Sequence, residues 1–225
     1  MTLDPPTQSE AAPERGAGLA PLSGAGSSQA TIKVIRFYDE SPDDFVQPGS
    51  LRASLGLPID DPDLPPPPFA AVGIQWFDDV DAAVTAANGS TTVVAEEVVL
   101  RGADYLASRW AGGGERLKMM SFGRRNPRWT RQEFSQRWRR DAGRVGGDAI
   151  PEDVRGLAYV QNHPLLTRDD PPFDAVNEVW FERLDLLRRR GAYIAAMLAT
   201  PSPSPADSLM APGAAWSMFV RETPL

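Results

Sequence analysis

His163 is the chain's single histidine, and an imidazole is the side chain whose ordinary pKa lies near neutrality. It ends the run Leu157-Ala158-Tyr159-Val160-Gln161-Asn162-His163, which Pro164 stops. Strand alternation places Tyr159, Gln161 and His163 on one face and Val160 and Asn162 on the other. A phenol, an amide and an imidazole facing one apolar cavity suit proton abstraction or dehydration of a substrate whose phenol or carbonyl they orient. The same position equally suits a histidine that only bonds a loop carbonyl at the strand end. Glu178 is the second candidate. It lies between Asn177 and Val179 in an otherwise apolar run and shares a face with Val176 and Trp180. Burial would raise its pKa and make it a general acid, whereas a cross-strand pair with an arginine would make it structural. Asp141 is third, a base or a surface ion pair at the end of a helix carrying Arg137, Arg139 and Arg140.

Composition narrows the chemistry. The 225 residues contain no Cys, 42% hydrophobic and 24% charged residues, and a formal net charge of -7. Thiol nucleophiles, disulfides, Cys-ligated zinc and iron–sulfur clusters are excluded, and one His excludes His-rich metal cages. No metal or other cofactor is expected. Arginines and two tryptophans, Trp129 and Trp138, crowd residues 115–144, but no nucleic-acid-binding motif accompanies them, and this stretch reads as a solvated helix face. No apolar run approaches the roughly 20 residues of a membrane span, and the N-terminus lacks the pattern of a signal peptide. The expectation is a cytoplasmic protein without nucleic-acid or membrane partners.

Residues 1–30, rich in Pro, Gly, Ala and Ser, read as a disordered tail. Beyond it the chain repeats itself. Phe69 to Asp81 aligns without gaps on Phe173 to Asp185, with Phe, Ala, Val, Trp, Phe and Asp identical at matching positions. Ile32 to Phe37 matches Leu117 to Phe122, sharing Lys33 with Lys118 and Phe37 with Phe122. Closing strands at Val93 to Arg101 and Trp216 to Arg221 complete the two copies. Thr130 and Glu133 form a capping box ahead of Phe134 and Trp138, which share a helical face. The second copy thus reads strand, helix, strand, strand, helix, strand, the order of a split βαβ, ferredoxin-like unit. The expected fold is α+β: two tandem ferredoxin-like units, 31–111 and 115–225, the first degenerate and lacking its first helix and second strand, their sheets packed face to face as an α+β barrel. Gly112 to Gly114 read as the linker.

Arg125-Asn126-Pro127, Phe134 with Trp138, Tyr159 to Pro164, and Phe173 to Phe181 resemble the EthD family of the dimeric α+β barrel superfamily. The family's helix motif places a His four residues after the Trp, where this chain has Ala142 beside Asp141. The resemblance implies a barrel with apolar pockets, usually made by two subunits and here by one chain, as a monomer or homodimer. It implies a lyase, cyclase or dehydratase acting on a hydrophobic aromatic or polyketide-like molecule. In that reading His163 moves the proton, Glu178 and Asp141 are further candidate catalytic groups, and Tyr159, Gln161, Trp180 and Trp138 contact the substrate. A non-catalytic binding or accessory protein is the alternative.

Overall fold

The computed structural model describes residues 31–225 except 90, 113–115, 143, 146–147, 166–170 and 200–207; the reading of residues 1–30 as a tail therefore lies outside the described residues. Eight strands form one sheet: β1 (Ile32–Tyr38), β2 (Arg52–Pro58), β3 (Ala71–Phe77), β4 (Thr92–Arg101), β5 (Arg116–Arg125), β8 (Ala158–Pro164), β9 (Ala175–Phe181) and β10 (Met210–Pro224). Helices α1 (Val80–Ala86), α2 (Ala103–Gly112), α3 (Arg131–Arg140) and α4 (Leu184–Ala199) lie between them, and β6 (Arg144–Val145) pairs with β7 (Asp148–Ala149) in a small hairpin. Among the described residues no helix is long and apolar enough to cross a membrane.

The expected pair of ferredoxin-like units stacked face to face is not what forms. All eight strands belong to a single antiparallel sheet closed on itself in the order β1-β3-β2-β10-β5-β9-β8-β4. The reason lies in the edges. Each half's last strand pairs with the other half's second strand, β4 with β8 and β10 with β2. The halves are therefore joined by backbone hydrogen bonds rather than by side chains across two sheets, and closure leaves no strand edge unpaired. The first half also has the second strand that its sequence hides: β2 carries Gly56 and Pro58, which obscure a strand pattern. Residues 39–51 hold no helix, as the sequence suggested.

Alternation divides each strand between the barrel interior and an outer face covered by helices. The interior holds Ile35, Phe37, Ile74, Trp76, Met120, Phe122, Val176, Met218 and Val220 in one apolar cluster. Outside, α1 packs Ala83 and Ala86 on Val34 and Val94, and α4 packs Leu187 on Met119, Val179 and Phe219. The capping box of α3 forms as its sequence required, Thr130 Oγ1 accepting from the Glu133 amide while Glu133 accepts from the Thr130 amide. One end of the barrel is filled by rings: Phe37 lies 4.6 Å from Phe122 and 5.1 Å from Phe173, with Trp216 stacked 6.3 Å from Phe122. Such contacts each contribute about 0.5–1.5 kcal/mol beyond area burial. Access to the interior is left to the opposite end.

Candidate functional site

At that opposite end the apolar lining gives way to charge. Strand register makes the two halves comparable position by position. Lys33 on β1 stands opposite Ala95 on β4, as Lys118 on β5 stands opposite Val220 on β10. Two residues further along the closing strands come Glu97 and Glu222, which are therefore equivalents; Arg101 and Arg221, which end both strands in the sequence, are not. Trp76 and Trp180 are likewise equivalent. Their neighbours on β2 and β8 differ, Arg52 beside Trp76 and Ala158 beside Trp180. One step inward, the first half has Ile74 where the second has Glu178.

These residues form one network. Glu178 Oε1 accepts from Lys33 Nζ at 2.5 Å and from Asn162 Nδ2 at 2.9 Å, and its Oε2 accepts from Lys118 Nζ at 2.7 Å. Lys33 Nζ also lies 2.8 Å from Glu97 Oε1, and Lys118 donates to Glu222 Oε1 at 2.8 Å. Glu222 accepts in addition from Ser54 Oγ at 2.7 Å and from the Trp180 indole at 3.1 Å. The ammoniums face the indoles, Lys33 at 5.1 Å from the Trp76 ring and Lys118 at 5.2 Å from that of Trp180. Lys33, Lys118, Glu178 and Glu222 are all fully buried. Burial by itself pushes the Glu178 carboxyl up, but Lys118 and Lys33 outweigh it and hold it down at about 2. Burial pulls Lys33 down, and Glu178 and Glu97 reverse this to leave it raised. Glu178 is thus an ionised bridge between two ammoniums, not the raised-pKa acid that its apolar strand suggested.

A cavity of about 190 Å³ opens above this network, walled by Arg52, Trp76, Glu97, Val99 and Trp180 from the barrel and by Ala103, Leu106 and Ala107 from α2. Gly102 makes the turn that brings α2 over the mouth: its φ is +77°, and a Cβ there would stand 2.5 Å from the Leu157 carbonyl oxygen. Glu97 is the cluster carboxylate at the cavity wall, its side chain 10% exposed. The Arg52 guanidinium lies 4.6 Å from the centre of the Trp76 ring and 3.9 Å from Glu97 Oε2, with its side chain 38% exposed. A 3.9 Å separation is an ion pair and too long for a hydrogen bond.

The face shared by Tyr159, Gln161 and His163 is the outer one, beneath α3. Gln161 Nε2 donates to the Trp138 carbonyl at 3.0 Å and to Tyr159 Oη at 3.0 Å, and Tyr159 donates to Asn177 Oδ1 at 3.0 Å. The Gln161 oxygen is therefore the atom turned to His163 Nε2 at 3.1 Å, which places the imidazole proton on Nε2. Nδ1 then accepts from Ser135 Oγ at 2.9 Å. Burial, followed by the charge of Arg139, pushes His163 down to about 4. Trp138 packs on His163 with ring centres 4.6 Å apart. Asp141 ends α3 at the surface, 3.2 Å from Arg140 Nε. Of the residues singled out from sequence, Glu178 and Trp180 thus meet inside the barrel, whereas His163, Tyr159, Gln161 and Trp138 meet outside it and Asp141 joins neither group.

Sequence reasoning passed over Lys33, Lys118, Glu97, Glu222 and Arg52. One signal was available: Lys33 and Lys118 are the chain's only lysines, and both sit at equivalent positions of apolar strands. Among the described residues no group of three or more His, Cys, Asp or Glu is arranged to hold a metal ion.

No family model matches the chain, and no curated protein matches it at a significant level. Among solved structures, one described as a crystal structure study of anthrone oxidase-like protein is similar at a TM-score of 0.49 with 11% identity, over 88% of this chain and 94% of that one.

Proposed function

We propose that this chain binds a hydrophobic aromatic small molecule at the open end of the barrel and carries out proton-transfer chemistry of the lyase, cyclase or dehydratase kind there. The observation that supports this reading is Glu97, a carboxylate set in the wall of an otherwise largely apolar cavity between two tryptophans. A cavity of about 150 Å³ accommodates benzene, so about 190 Å³ suits one or two fused rings. Glu97 takes a proton from a carbon next to a substrate carbonyl, Arg52 meets the charge of the enolate that results, and Glu97 returns the proton to the rearranged product. Lys33 fixes the Glu97 carboxylate from beneath at 2.8 Å. The test is deuterium exchange in heavy water with enolisable aryl ketones such as indanone and tetralone, followed by NMR. The expected result is protein-dependent exchange at the carbon beside the carbonyl, lost in Glu97→Gln.

A non-catalytic binding protein is the second reading. It is favoured by the mutual pairing of Lys33, Lys118, Glu178 and Glu222, which spends four buried charges on one another. Binding of the ketones with no exchange over prolonged incubation would select it.

A further inference from the structure

The network is nearly two-fold, and its departures from symmetry lie where the cavity opens. Lys33, Glu97 and Trp76 in the first half answer Lys118, Glu222 and Trp180 in the second. Arg52 is answered by the small, buried Ala158. A cation therefore stands at the mouth on one side only, beside Glu97. Among the residues that line the cavity the charges balance, Arg52 against Glu97; behind the wall the buried Arg116 lies close to Glu222 as a further cation. An ionic ligand would unbalance a site enclosed by apolar walls, and desolvated charge without a partner is costly.

The geometry at the mouth is more specific than neutrality. Glu97 Oε1 is held by Lys33 at 2.8 Å, and Oε2 is the oxygen turned to Arg52, 3.9 Å from its Nη2. A single oxygen atom can stand within hydrogen-bond length of both atoms, because sides of about 2.7 and 2.9 Å span 3.9 Å at close to a right angle. A group that engages both at once must donate to the carboxylate and accept from the guanidinium. A hydroxyl does both; an ammonium only donates and a carboxylate only accepts. An ammonium would also lie close to Arg52 and Lys33, both of which stand against the Trp76 ring.

We infer that Arg52 and Glu97 form a hydroxyl-reading pair, which selects an uncharged aromatic alcohol whose oxygen bridges Glu97 Oε2 and the Arg52 guanidinium while its rings lie between Trp76 and Trp180. This rests on the cavity being the ligand site. The pair sets specificity whether or not Glu97 also moves a proton.

The experiment is calorimetric titration at neutral pH with four probes of one shape: naphthol, methylnaphthalene, naphthoate and naphthylmethylammonium. Wild type, Glu97→Gln and Arg52→Leu are compared, with thermal melts to verify folding. Naphthol is expected to bind about ten-fold more tightly than methylnaphthalene, the factor that one hydrogen bond to a charged group supplies, and more tightly than either ion. Arg52→Leu, at a half-exposed position, should remove that advantage, read as the ratio of the naphthol and methylnaphthalene affinities within the same variant, and Glu97→Gln should weaken it. Equal binding of naphthol and methylnaphthalene, a preference for either ion, or an unchanged naphthol advantage in Arg52→Leu would overturn the inference and leave the cavity reading standing. If none of the four binds, the cavity reading itself fails.

Discussion

Replacing Glu178 by glutamine removes the charge that joins both lysines while keeping the shape of the side chain. The distance from an ordinary 4.5 to about 2, at roughly 1.4 kcal/mol per pKa unit, makes the ionised carboxylate worth about 3 kcal/mol to the folded state. Stranding buried ammoniums leads to a similar figure, about 3–5 kcal/mol for breaking a buried pair from one side. Because the folded-state pKa is depressed, this stability is fully present above about 4.5 and is lost as pH falls through about 2. Urea denaturation followed by tryptophan fluorescence should show Glu178→Gln destabilised by about 3 kcal/mol or more at pH 7. The deficit should narrow between pH 4.5 and 2. Adding Lys33→Met to Glu178→Ile should cost less than the two single changes summed, by about 1–3 kcal/mol, since Ile is what the first half carries at this position. A glutamine variant within about 1 kcal/mol of wild type at neutral pH, or a deficit independent of pH, would refute the account of Glu178 as a buried bridge.

The acid response has a second, separate window. His163 is depressed from 6.5 to about 4, so the folded state resists its protonation and stability falls as pH drops from 6.5 toward 4. With one histidine in the chain, a single imidazole NMR titration should report an apparent pKa near 4 and the Nε2–H form above it; a value of 6 or more would contradict the buried Ser135–His163–Gln161 arrangement. Gly102→Ala should cost clearly more than Gly49→Ala. Both have positive φ, +77° and +84°, but a Cβ at Gly102 meets backbone atoms and one at Gly49 meets nothing within 4 Å; Gly49→Ala should show only the conformational cost of about 1–2 kcal/mol, and equal losses in urea titrations would show that α2 is not seated as described. Thr130→Ala should lower stability by about 1 kcal/mol through loss of the capping bond to Glu133, and an unchanged midpoint would argue against that cap.

Local order was legible wherever it depended on neighbours along the chain. Apolar, β-rich runs and the internal repeat located β1, β3, β8 and β9, and the spacing of Thr130, Glu133, Phe134 and Trp138 located α3 with its cap. The repeat was legible because Trp76 and Trp180, and Lys33 and Lys118, recur at matching offsets. Alternation also placed Glu178 and Trp180 on one face and Tyr159, Gln161 and His163 on another. It could not say which face of β8 is inside. A polar face can line a pocket or lie beneath a helix, and α3 decided this by covering His163.

The closed barrel was hidden for a related reason: the pairings of β4 with β8 and β10 with β2 are backbone hydrogen bonds, which leave no mark in the side chains that a sequence displays. The same holds for the site. Lys33, Arg52, Glu97, Lys118, Glu178 and Glu222 come from six strands, and only closure brings them within bonding distance of one another. By itself the sequence determined every barrel strand except β2, the capped helix, the internal repeat of its own residues and the absence of cysteine, all properties of residue type and short-range spacing. The tertiary structure alone decided that two buried lysines bridge three carboxylates, and that Glu97 is the carboxylate facing a cavity. Coulomb energy depends on distance in space, which the separation of residues along the chain does not reveal.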